Sequence, residues 1–161
     1  MKNAQYWRTA LALLPHPEGG AYRETYRATT LVDTPNGPRS ASTAIYFLLE
    51  YGNFSAFHRI QSDEAWHFYD GDALSIYEIT RDGVLVEHKL GKDIENGESL
   101  QIVISAGNWF ASRVNNAGGY TLVGCTVAPG FDFVDFEMAE RAALQLEYPA
   151  HAGIIEELTR V

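Results

Sequence analysis

The runs AYRETYR, STAIYFLLE, NFSAFHRI, WHFY, ALSIYEIT, VLVEHKL, SLQIVI, WFASRV and YTLVGCTV follow one another with no helix-length stretch between them. Each is short, rich in β-branched and aromatic residues, and bounded by turn formers; the RDG between two of them is a hairpin turn. That succession constrains the fold more than any other feature. Parallel strands need crossovers of a dozen or more residues, usually helical, and the sequence offers none. About nine strands must therefore pair mainly antiparallel, as a sandwich or a double-sheet jelly roll rather than a βαβ fold.

Helical patterning is confined to the ends. QYWRTALALL repeats apolar residues at helical spacing (Trp7, Leu11, Leu14 and Tyr6, Ala10, Leu13) and stops at Pro15. VDFEMAERAALQLEY reads as a closing helix with Met138, Ala142 and Leu146 on one face and Pro149 ending it, and IIEELT as a short second one. No repeat or linker interrupts the chain, and 161 residues suit one domain, 1–161, with a core that needs no staples.

Composition excludes several classes. Cys125 is the only cysteine, so an intramolecular disulfide and a thiolate zinc site are ruled out and a reducing, cytoplasmic setting is expected. Its place among Leu122, Val123 and Val127 marks it as a small buried hydrophobe. No targeting pattern and no apolar stretch of membrane-spanning length is present, so no membrane association is expected. A net charge of −9 without a Lys/Arg run argues against nucleic acid as a partner. Arginines outnumber lysines nine to three. Arg23, Arg27, Arg39, Arg59 and Arg113 lie in or beside strands, where a guanidinium can hold an anionic ligand or simply pair with surface acids.

The stretch HRIQSDEAWHFYDG carries two histidines and several carboxylates. His58, Ile60, Ser62 and Glu64 share one parity and so one face of a regular strand. His67 has the opposite parity and joins them only if a bulge turns it inward. The intervals from Gly52 to His58, Ile60, Glu64 and Gly71 resemble the first cupin motif, with Ile60 in place of its second histidine. GESLQIVISAGNWFASR resembles the second motif, with Ser105 for the usual proline and Phe110 for the histidine. Taken together, HPEGGAYRETYR, STAIYFLL, HRIQSDEAWHFYDG, ISAGNWFASR and LVGCTVAPGFDFVDFE resemble one branch of that superfamily, the uncharacterised family first defined as domain of unknown function 985. The resemblance runs from Leu13 to Thr159. It implies an all-β, double-stranded β-helix (jelly-roll) barrel of the sugar-nucleotide epimerase type with short terminal helices, a homodimer, and a pocket at the barrel mouth. It implies no substrate.

In such barrels a divalent metal takes three histidines and a glutamate, and non-haem iron takes two histidines and a carboxylate. Here Ile60 and Phe110 put hydrocarbon at two ligand positions, so no cofactor is expected; a divalent metal, if held, would take His58, Glu64 and His67. A metal-free site still has His58 and Glu64 for proton transfer, with His67 as a third candidate. Tyr22, Tyr46 or Arg59 would donate to a developing oxyanion. PHPEGG is either a tight turn or a lip that presents Glu18 and Tyr22 to a ligand. Trp66, Phe68, Trp109 and Phe110 are core or an aromatic floor. Two functions fit: an isomerase, epimerase or lyase acting on a small polar, anionic or sugar-like metabolite, and a ligand-binding or sensing barrel without turnover.

Overall fold

A computed structural model describes all 161 residues, Met1–Val161. After helix α1 (Ala4–Ala10) come thirteen β segments: β1 (Leu14–Pro15), β2 (Ala21–Arg27), β3 (Leu31–Thr34), β4 (Gly37–Ser40), β5 (Thr43–Glu50), β6 (Phe54–Arg59), β7 (Asp63–Gly71), β8 (Leu74–Ile79), β9 (Leu85–Leu90), β10 (Gln101–Ile104), β11 (Trp109–Val114), β12 (Tyr120–Ala128) and β13 (Glu137–Met138). Helices α2 (Arg141–Glu147) and α3 (Ala152–Glu157) close the chain. The order β1-β2-β5-β12-β7-β10 makes one sheet and β13-β6-β11-β8-β9 the other, while β3 and β4 form a separate hairpin. All strand pairs are antiparallel. This is the expected double-sheet jelly roll.

The inner faces of the two sheets are buried against each other, and the terminal helices cover part of their outer faces. Between the sheets lie Phe47, Trp66, Ile76, Ile104, Phe110 and Cys125. Their chain neighbours point the other way. Phe57, Tyr77, Ile79 and Trp109 pack outward against Leu144 of α2 and Ile155 of α3, and Leu48 and Leu122 pack outward against α1. Trp66, Trp109 and Phe110 are thus core, and Cys125 is buried as its surroundings predicted.

Two helix boundaries differ from the sequence reading. α1 ends at Ala10, because Ala12 adopts a left-handed conformation (φ 51) and Leu14–Pro15 pairs with Ala21–Tyr22 instead. The closing helix starts only at Arg141, capped by the Glu140 carboxylate, which accepts the N–H groups of Ala142 and Ala143. Ahead of it, Glu137 and Met138 pair with Arg59 and His58 as an edge strand. Met138 therefore belongs to no helical face, and Leu144, rather than the exposed Leu146, is the buried position.

Candidate active site

The barrel opens on a cavity of about 170 Å³ whose lining includes His16, Glu18, Tyr22, His58, Ile60 and Glu64. His58 and Glu64 are both buried, at 3% and 8% exposure. They come from different sheets, His58 from β6 and Glu64 from β7. The chain crosses between the sheets at Ile60–Ser62, so the two side chains face one cavity from different walls rather than from adjacent strands.

Three β-bulges lie in the strands that carry the site, and two of them aim its side chains. In β6 an extra residue precedes His58 in its pairing with β11. The break sends Phe57 out to the helices and His58 in, beside Phe110 at a ring distance of 4.1 Å. In β2 the bulge lies between Glu24 and Tyr26, so Tyr22 and Glu24 line the cavity and, past the bulge, Arg27 does too. The third, in β7, falls between Phe68 and Asp70. It comes after His67 and does not turn that residue inward. Bulges of this kind re-aim side chains at functional sites.

The PHPEGG segment supplies the decisive partner. Glu18 Oε2 lies 2.9 Å from His58 Nε2, while His58 Nδ1 donates to the Ala56 carbonyl at 2.7 Å. His58 is therefore paired with Glu18, and the expected His58–Glu64 pair does not form. Two glycines make the approach possible. A Cβ on Gly19 would lie 2.0 Å from the Phe54 carbonyl oxygen and one on Gly20 2.7 Å from that of Leu48, and both residues have positive φ. The segment thus lies flat on β5 and β6, with the Ala56 N–H donating to Glu18 O at 2.8 Å. Arg160 holds the same place from outside through the Phe54 carbonyl at 2.7 Å.

The charges follow from this geometry. Burial opposes charge on both Glu18 and His58, but their mutual attraction and hydrogen bond outweigh it: Glu18 is held below the usual carboxylate range and His58 above the usual imidazole value. The Ala56 carbonyl and the Glu64 charge add to the upward shift on His58. Near neutral pH the pair is ionic. His16 is neutral. Burial lowers its pKa, and its Nδ1 accepts the Glu18 backbone N–H at 3.1 Å, which leaves the proton on Nε2. Glu64 is pushed up to about 7, first by burial and then by the Glu18 charge, with His58 pulling the other way. The Trp66 N–H and the Cys125 thiol lie on its core side and favour the anion. Trp66 Nε1 falls short of a formed hydrogen bond, so its help is weak.

Several expected site residues stand elsewhere. His67 lies on the outer face of its sheet, bonded to Gln101 Nε2 at 2.9 Å and Thr126 Oγ1 at 3.3 Å; its parity decides. Tyr46 precedes the inward Phe47 and pairs on the outer face with Tyr69. Arg59 also points away, ion-paired to Glu137 and set over the Trp109 ring at 4.4 Å. Phe110 is 1% exposed and buttresses His58 from behind without lining the cavity. Glu18 does line the cavity, and there one of its oxygens is paired with His58. Tyr22 does line the cavity, edge-on to His16.

The sequence reading missed His16, Glu24 and the wall made by Phe131, Phe133 and Phe136; of the arginines it named, Arg27 alone lines the cavity. PGFDFVDF, with three phenylalanines in six residues, was a visible signal for that wall. Asp135 between them is clamped by Arg39 of β4 at 2.7 and 2.9 Å, which moors the segment over the cavity.

The superfamily's metal does not fit these residues. Ile60 and Phe110 contribute no ligand atoms, His58 Nε2 is committed to Glu18, and His67 is on the wrong face. No group of three or more His, Cys, Asp or Glu is arranged to hold an ion.

Comparison with known proteins agrees with this architecture. Residues 5–139 match the family described as Cupin superfamily (DUF985). The chain is 32% identical to the uncharacterised protein YML079W of Saccharomyces cerevisiae over 138 residues, 76% of this chain and 68% of that one. Among solved structures, protein SO0799 from Shewanella oneidensis is 42% identical with a TM-score of 0.92 over 99% of both chains. A hypothetical protein from Leishmania major is 38% identical with a TM-score of 0.95, over 99% of this chain and 100% of that one. Oxalate decarboxylase from Bacillus subtilis, at 12% identity and a TM-score of 0.57 over 89% of this chain and 36% of that one, shares the fold.

Proposed function

This chain belongs to the cupin superfamily, in the family Cupin_5 (DUF985), and we propose that it is a metal-independent acid–base enzyme, an isomerase, epimerase or lyase acting on a small polar metabolite. The family's fold hosts many chemistries, so the reading rests on the site. One observation carries it: a buried carboxyl, Glu64, shares a cavity with the buried His58–Glu18 ion pair.

Glu64 is the proton carrier in this reading. A carboxyl poised at about 7 can take a proton from a carbon next to a carbonyl and return it, which is the condition for efficient general acid–base work near neutrality. His58 serves as a fixed cation rather than as the base. With Nδ1–H on Ala56 O and Nε2–H on Glu18, it offers positive charge to an enolate oxygen that forms beside Nε2. Tyr22 and His16 position the substrate, and the phenylalanine wall keeps water away.

The test begins with native mass spectrometry of protein purified without an affinity tag, to identify a co-purifying small molecule. With that compound, Glu64→Gln should lower turnover by about two to four orders of magnitude. Unchanged turnover would remove Glu64 from the mechanism. A second reading, binding without turnover, is favoured by the commitment of both His58 ring nitrogens. It predicts that the compound is recovered unchanged and without deuterium after incubation in heavy water.

A further inference from the structure

At the cavity, most charge is already matched. Glu18 holds His58 at 2.9 Å and Glu24 holds Arg27 at 2.6 Å, and His16 is neutral for the reasons given above. Glu64 is the one lining carboxyl left without an ion-pair partner. A carboxylate or phosphate ligand would meet Glu18, Glu24 and Glu64 and find no uncommitted cation. A ligand of the opposite sign would find a free anion.

The wall has a matching property. Phe131, Phe133 and Phe136 stand at steep angles to one another: 83° at 4.8 Å, 68° at 6.0 Å and 70° at 6.2 Å between ring centroids. Phe133 keeps 49% of its surface exposed at the opening. One face of Phe136 is stacked on the His58 ring at 5.3 Å, and the three rings share the lining of the cavity with the Glu64 carboxyl; aromatic rings beside a carboxylate suit quaternary and alkylated ammonium groups. Size agrees as well. An apolar cavity of about 150 Å³ accepts benzene, so one of about 170 Å³ takes a trimethylammonium head with a short tail.

We propose that this cavity selects a small organic ammonium ion, its alkyl groups against the three phenylalanine rings and its charge answered by Glu64. The proposal deepens the reading of the same cavity as a small-molecule site and rests on it. Glu64 is faced by Glu18 and His16 from the segment before β2, by His58 from β6 and by Cys125 from β12. Its ionisation near pH 7 follows from burial and from that company. A bound cation favours the ionised carboxyl, so affinity should rise by up to about tenfold between pH 6 and pH 8.

Isothermal titration with choline chloride and with its neutral isostere 3,3-dimethylbutan-1-ol isolates the charge. Choline should bind at least about tenfold more tightly. Phe133→Leu, a change at a half-exposed position, and Glu64→Gln should each remove most of that preference and leave the alcohol's affinity little changed. Equal affinity for the two probes would overturn the ammonium proposal and leave a plain apolar slot. Binding of neither, with the Glu64 carboxyl signal titrating near 7 by NMR, would also overturn it while the acid–base reading stands. The acid–base reading fails separately, on a Glu64 that titrates near 4.5.

Discussion

The barrel contains two His–Glu pairs, one buried and one half-buried, that look alike by distance and differ in what surrounds them. His58 and Glu18 meet at 2.9 Å, His88 and Glu78 at 2.7 Å. Glu78 also accepts from Asn108 Nδ2 at 2.7 Å, so both its oxygens are satisfied, and the His88 side chain is 26% exposed. The Glu18 oxygen that does not meet His58 lies 3.8 Å from His16 Nδ1, beyond hydrogen-bonding reach, and His58 is 3% exposed beside a third carboxyl. The second pair closes a sheet between neighbouring strands. The first spans a loop and a sheet, and leaves a reactive neighbour in open space. An acid–base pair thus becomes a functional candidate through what it leaves unfinished, not through its own bond.

Substitution can break that contrast. His58→Ala leaves the Glu18 charge buried without its partner and should cost about 3–5 kcal/mol in urea unfolding at pH 7; a loss no larger than that of His88→Ala would make the two pairs equivalent. Next in size is the pH response of Glu64. Its folded pKa of about 7 lies above the ordinary 4.5, so the folded state prefers the proton. The associated stability is complete below about pH 4.5 and is lost as pH rises through 7, to the extent of roughly 3 kcal/mol. Glu64→Gln should therefore be more stable than wild type at pH 8 by about that amount and show no such gain at pH 4. Unfolding curves for both proteins at the two pH values check the sign.

His88→Ala removes one hydrogen bond to a charged group and should cost about 1.5–3 kcal/mol, without altering choline binding. His67→Ala, on the outer face, should stay within about 0.5 kcal/mol of wild type and leave ligand binding unchanged. Lost binding in that variant would place the ligand on the wrong side of the sheet.

The sequence showed the barrel clearly, because period-two runs bounded by turn residues recur along its middle. It hid the shortest strands. β1 and β13 are two residues long, less than one full alternation, and Glu137–Met138 merged with the helical spacing that follows. For the site, motif spacing located His58 and Glu64, and PHPEGG located Glu18. It did not reveal that Glu18, close behind α1 in sequence and far from β6, is the partner of His58, since that contact depends on two glycines pressing a loop onto strands far along the chain. Arg27, one of five arginines the sequence offers as anion holders, reaches the cavity because the β2 bulge reverses parity just before it. Parity placed His67 and Arg59 opposite to His58, as found, but failed at Ser62, which lies in a separate groove beside Pro129 and Asp135 rather than in the cavity.

The corner between β6 and β7 has a consequence for how this site can change over generations. Ile60, Gln61 and Ser62 carry the chain from one wall to the other, and the β10–β11 turn pins them: the Gly107 N–H donates to Ile60 O at 2.8 Å and the Ala106 N–H to Asp63 Oδ1 at 2.8 Å. Gln61 is exposed and free to vary in identity. The number of residues in the corner is not free. One residue gained or lost there would advance β7 by one position and present Asp63 or Ala65 to the cavity in place of Glu64. The placement of Glu64 in the cavity is thus recorded in the length of a short connection rather than in the identity of its exposed residue.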